Sequence, residues 1–142
     1  MTLEEIKSRV MFQTNNDDED VGDYLPHLVD YINDGYDRLV VVWAKTHCGT
    51  TDWPWLEEPP QNPPASYDGD VPKTPEWTHK YLADWATWLV YRNGNPQKQQ
   101  RGYAFRNSFE EMLSKVSGEG GESGLNEDGS QKQYKFFINI PR

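Results

Sequence analysis

Proline placement constrains this chain more than any other feature. Six of its ten prolines fall in one stretch, as Pro54, Pro59, Pro60, Pro63, Pro64 and Pro72. Proline lacks a backbone N–H and collides with the preceding helical turn, so no helix and no central strand crosses that stretch. The remaining four, Pro26, Pro75, Pro96 and Pro141, stand where an element begins or ends. The prolines thus divide the chain into a helical pair before residue 48, an extended loop over 48–73, a second helical pair over 74–117 and a C-terminal tail.

Hydrophobic periodicity fills in the helices. Thr2 and Glu5 have the spacing of a capping box, and Leu3, Ile6 and Val10 follow at helical intervals, which predicts a helix over 3–13. The polar run from Asn15 to Asp20 stops it. Asp23 and Pro26 open a second helix over 24–47, with Leu25, Leu28, Val29, Ile32, Tyr36, Leu39, Val40 and Trp43 on the 3.6-residue period. Gly35 inside it costs up to about 1 kcal/mol relative to Ala, which suggests close approach of a neighbouring helix. Thr74-Pro75 and Asn95-Pro96 are cap-and-proline starts for helices over 75–93 and 96–117, joined by a short corner at Asn93-Gly94. Trp77, Tyr81, Trp85, Trp88 and Leu89 make an apolar stripe on the third helix, and Phe105, Phe109, Met112, Leu113 and Val116 another on the fourth.

Residues 117–133 are rich in Gly, Ser and acidic groups and read as mobile, whereas 134–140, with Phe136, Phe137 and Ile138, read as a strand. That strand needs a pairing partner, either in the 48–73 loop or in another subunit. The resulting expectation is a single mainly α domain over 1–142, four-helix bundle-like, with a long Pro/Trp-rich loop and a short C-terminal β element.

Charge is unevenly spread along a chain of 142 residues with net charge −9. Residues 1–47 carry 4 basic and 10 acidic groups, 48–76 carry 1 and 6, 77–117 carry 6 and 3, and 118–142 carry 3 and 4. The acidic total argues against a general nucleic-acid binder and leaves at most non-specific contact with passing DNA. The only basic segment holds Arg92, Lys98, Arg101 and Arg106 around the helical corner, read either as a subunit or partner contact or as the solvated tips of two helices. A lone cysteine, Cys48, excludes an internal disulfide, and no apolar run approaches the roughly 20 residues of a membrane span. These features suit a soluble protein of a reducing compartment.

Motifs for chemistry are weak. His47 and Cys48 are adjacent, and sequence neighbours rarely face one another as a nucleophile–base pair. His27, His47 and His79 match no metal-ligand spacing. From Asn16 the acidic turn resembles a calcium loop, but Val21 stands where Gly is needed and His27 where Glu is needed. The glycines at 118, 120, 121 and 124 lack the Lys-Ser of a phosphate loop. No enzyme activity and no cofactor are expected. Trp53-Pro54-Trp55 is read as rings capping the helical core from the loop, with a platform for a peptide or glycan as the alternative.

The order of elements carries a resemblance. A short amphipathic helix and an acidic turn lead to a long helix reading Tyr31-Ile32-Asn33-Asp34-Gly35-Tyr36-Asp37-Arg38-Leu39. A variable loop, a Pro-started helix, Asn95-Pro96-Gln97-Lys98 and a final amphipathic helix follow. Over about 3–47 and 74–116 this resembles the head–tail connector or adaptor proteins of tailed bacteriophages and prophages. That resemblance implies a structural subunit of the virion, made in the bacterial cytoplasm. It implies a ring of copies of itself, contacting portal and tail-completion proteins and no membrane. The candidate interface is then Arg92, Lys98, Arg101, Arg106, Trp53, Trp55 and the strand residues Phe136, Phe137 and Ile138.

Overall fold

Residues 1–14, 24–47 and 53–118 are described by a computed structural model. They contain four α-helices: α1 (Leu3–Gln13), α2 (Leu28–His47), α3 (Glu76–Tyr91) and α4 (Pro96–Ser117). The expected acidic turn after residue 14, Cys48, the Gly/Ser-rich segment beyond 118 and the strand over 134–140 lie outside the described residues. No strand occurs among the described residues.

Local chemistry sets the helix ends. Thr2 Oγ1 accepts from the Glu5 N–H while the Glu5 carboxylate accepts from the Thr2 N–H, a reciprocal capping box. The expected helix from residue 24 opens instead as a 3-10 turn, Leu25–His27, before α2 takes up α-helical geometry at Leu28. Pro26 fits this opening turn, where backbone N–H groups have no intrahelical acceptor. At α3 the cap position falls on Pro75, and the Thr74 hydroxyl meets the Thr78 hydroxyl at 2.9 Å rather than a backbone N–H. Asn95 caps α4 by accepting from the Lys98 N–H at 2.9 Å, and Gly118 ends it in the left-handed conformation at φ 85.

Helix α3 is the centre of the molecule, packing against α1, α2 and α4. Its buried face is built from Leu82, Ala83, Trp85, Ala86 and Leu89, so the stripe expected on Trp77, Tyr81 and Trp88 lies on its flanks, half-buried. Small residues face the neighbours because three helices crowd one cylinder. Leu3, Ile6 and Val10 of α1, Leu28, Ile32, Tyr36 and Leu39 of α2, and Phe109, Met112 and Val116 of α4 complete the core. Gly35 does admit a neighbour: a Cβ there would stand 3.1 Å from Cδ1 of Trp85. Gly102 serves the same purpose between α3 and α4, where a Cβ would come within 2.8 Å of Trp88.

Residues 53–73 cross the bundle without helix or strand and are pinned at few points. Leu56 is buried, and Asn33 of α2 binds both its backbone groups, donating from Nδ2 to its carbonyl at 3.0 Å and accepting its N–H at 2.8 Å. Further along, Glu57 N–H donates to Gly69 O at 3.0 Å, Leu3 N–H to Asp70 O at 2.7 Å and Lys73 N–H to the Tyr36 hydroxyl at 2.8 Å. Between those ties, residues 57–66 are all exposed.

Candidate functional site

Polar groups inside the bundle serve to hold helices together. Asp84, buried on α3, accepts from Gln13 Nε2 of α1 at 2.8 Å and from Ser108 Oγ of α4 at 2.9 Å. Thr87 donates to Gln13 Oε1 at 2.7 Å and completes the bridge. Burial raises the Asp84 carboxyl above its ordinary range, against the pull of those two hydrogen bonds and of Arg9 and Lys80. Sequence reasoning passed over Asp84, although it is the sole acidic residue between Glu76 and Glu110 and sits between Ala83 and Trp85.

His79, also buried on α3, has both ring nitrogens engaged. Nε2 lies 2.7 Å from Thr74 O, which can only accept, so Nε2 carries the proton and Nδ1 accepts from the Met1 amino group at 2.9 Å. Burial lowers its pKa, which matches a neutral ring. His27 and His47 stand near opposite ends of α2, about 30 Å apart for a helix of 20 residues. His47 stacks on Trp43 with centroids 3.6 Å apart. Among the described residues no group of three His, Cys, Asp or Glu is placed to hold a metal ion. No helix among them is long and apolar enough to cross a membrane.

The four cations of the corner separate into two sets. Arg92, at the C-terminal cap of α3, and Arg101, on α4, are exposed and form no ion pair among the described residues, while Lys98 is half-buried between them in sequence. Arg106 belongs elsewhere. Five residues beyond Arg101 it is turned about 140° around α4. Its guanidinium lies 5.5 Å from the Trp88 ring centroid, and its Nε 3.5 Å from Glu110. Trp88 also stacks on Tyr103, so Arg106 closes an aromatic group on the flank. No acidic residue occurs between Asp84 and Glu110, which leaves the corner uniformly basic.

Acidic groups gather at the other end of α3. The Met1 amino group bonds Glu76 at 2.9 Å, and Gln13 reaches Asp84, so α1 runs alongside α3 in the same direction. Glu4, Glu5, Asp68 and Glu76 lie toward the N-terminal end of α3 and are exposed, and three of them are matched by a cation: Glu76 by the Met1 amino group, Asp68 by Lys73 at 2.8 Å and Glu4 by Lys7 at 4.0 Å. Sixteen residues of helix, about 24 Å, separate them from the basic corner.

The two loop tryptophans have different fates. Trp53 is half-buried and packs against the core, as the capping reading expects. Trp55 is 55% exposed, and its Nε1–H donates to Asp37 Oδ1 of α2 at 2.7 Å. Leu56, not singled out from the sequence, is the loop side chain that enters the core. Phe136, Phe137 and Ile138 lie outside the described residues. Comparison of the chain with protein-family models, with curated proteins and with solved structures found no match.

Proposed function

We propose that this chain is a structural assembly subunit, a head–tail connector of a tailed bacteriophage that joins copies of itself into a ring between portal and tail. The observation that supports it best is the pair of exposed guanidiniums, Arg92 and Arg101, that form no ion pair among the described residues at one end of α3, on a chain of net charge −9 whose carboxylates at the other end of α3 are in part offset by Lys7, Lys73 and the Met1 amino group. A ring requires a heterologous interface, in which one surface of each subunit meets a different surface of the next. Opposite charge at opposite ends favours head-to-tail contact and disfavours like ends meeting. Net charge −9 on the chain also suits a ring around passing DNA, because an acidic wall does not grip phosphate. A peptide- or glycan-binding module built on Trp53 and Trp55 has less support, since only Trp55 offers its ring to solvent.

The test is assembly of the full chain, alone and with portal protein, followed by mass photometry at rising salt. Wild-type protein should form oligomers that shrink as salt screens the contact. Arg92→Glu combined with Arg101→Glu should leave a folded protein that stays monomeric. Normal assembly of that variant, or a wild type that remains monomeric with portal present, defeats the reading.

A further inference from the structure

We propose that the surface of Trp55 is the acceptor that receives the Arg92–Arg101 corner of a second copy of this chain, a contact that rests on the assembly reading above. Trp55 combines two properties that rarely coincide in a loop. More than half of its surface is open to solvent, yet its indole N–H is fixed by the Asp37 carboxylate at 2.7 Å. The backbone beneath it is fixed as well, because the next residue, Leu56, is buried and held through both its N–H and its carbonyl by Asn33. The ring is therefore a pre-set apolar plate that loses little freedom on docking, the property that makes Trp a frequent interface anchor.

Its surroundings select the occupant. Asp37 lies against the ring, and Glu57, two residues along the chain from Trp55, is exposed. Nearby charges are already matched: Glu58 pairs with Lys7 at 2.6 Å, and Arg38 with Asp34 at 3.1 Å. An aromatic face with the Asp37 carboxylate at its edge, which forms no ion pair among the described residues, fits a guanidinium, which stacks on the ring while its N–H groups reach the carboxylate. The same chain presents such groups at the basic corner, where Arg92 and Arg101 are exposed and no acidic residue intervenes between Asp84 and Glu110. The molecule already makes this kind of contact internally, with Arg38 over Trp85 at 4.6 Å and Arg106 over Trp88 at 5.5 Å. Two different patches meeting in this way form an open or ring-closing series when each copy uses its two patches on different neighbours, and a two-fold dimer only when one pair of copies makes both contacts reciprocally.

Two single-cysteine proteins test the contact, Pro54→Cys beside Trp55 and Gln100→Cys beside Arg101, both exposed positions that keep the ring and the guanidiniums, each made in the full chain with Cys48→Ser. Under mild oxidation the mixture should give a disulfide-linked dimer that neither protein gives alone. Trp55→Ala should raise the protein concentration needed for half-assembly at least about tenfold with helicity unchanged. Oligomers that form without the mixed cross-link, that cross-link within one cysteine variant alone, or that tolerate Trp55→Ala would overturn the proposed contact and leave the assembly reading standing. Absence of oligomers from every protein, wild type included, would remove both.

Discussion

The central helix α3 and the proline-rich residues 53–73 are held by opposite means. α3 is enclosed by three helices and fixed by packing, with Leu82, Ala83 and Ala86 wholly buried. The loop contributes Leu56 to the core, rests Trp53 against it, and is tied mainly by hydrogen bonds to its own backbone at Leu56, Gly69, Asp70 and Lys73. A segment that proline bars from helix and sheet still has donors and acceptors to satisfy, so side chains and distant carbonyls take over that work. The lesson is that in such a loop the polar anchor on the opposing helix decides position, and the large aromatic side chain is released for other use.

The largest expected effect tests that anchor. Asn33→Leu leaves a buried N–H and a buried carbonyl of Leu56 without partners, which should cost about 3 kcal/mol or more in denaturant unfolding. A loss under about 1 kcal/mol would mean that the loop is held by packing after all. Leu56→Ala should follow at about 2–4 kcal/mol, the usual range for a fully buried leucine. Trp55→Ala, one residue earlier, should cost less than about 1 kcal/mol, because the ring is mainly solvated and its single hydrogen bond is near the surface. Equal losses at 55 and 56 would erase the distinction between plate and anchor.

A smaller effect, read as a slope with pH, separates His79 from Asp84, both buried on α3. His79 has a lowered pKa, so the unfolded chain binds that proton more readily. Its share of stability is present above the ordinary histidine value of about 6.5 and is lost as pH falls below it. Asp84 has a raised pKa, so the folded chain binds that proton more readily, and stability declines as pH rises past the ordinary aspartate value of about 3.9. His79→Gln should flatten the first slope and Asp84→Asn the second, measured by thermal unfolding across pH 3–8. A variant that changes both slopes alike would show that the two sites are coupled through α3.

Much of the fold was legible in the residues. Caps are local chemistry, so Thr2 with Glu5, Asn95-Pro96 and Gly118 mark ends of α1 and α4 without reference to tertiary contacts. Gly35 likewise signalled a close approach, now to Trp85. The centre of the molecule was harder to see. Large aromatic residues dominate a periodic reading, yet Trp77, Tyr81 and Trp88 flank α3 while alanines face its crowded neighbours. Side-chain volume at an interface depends on how many helices converge there, and a single sequence does not encode that count. The basic corner was legible as composition but not as geometry. Arg106 shares the charge of Arg101, but helical rotation carries it to Trp88. Nor did sequence distinguish Trp53 from Trp55, because the distinction is made by Asp37 and Asn33 on another element.

The hydrogen bond between Glu57 N–H and Gly69 O closes the loop at its base, beneath a tip that runs through Asn62, at φ 58, and Pro63. Above that closure Glu58 still reaches Lys7 of α1 at 2.6 Å, whereas the tip at Asn62 and Pro63 is exposed. Lengthening a closed loop costs only about 0.6 kcal/mol for each doubling, so the junction of Asn62 and Pro63 is a natural docking port for a guest peptide. An epitope or a dye-binding tag grafted there would ride on the outside of the molecule, which offers a way to label the folded chain without altering its core.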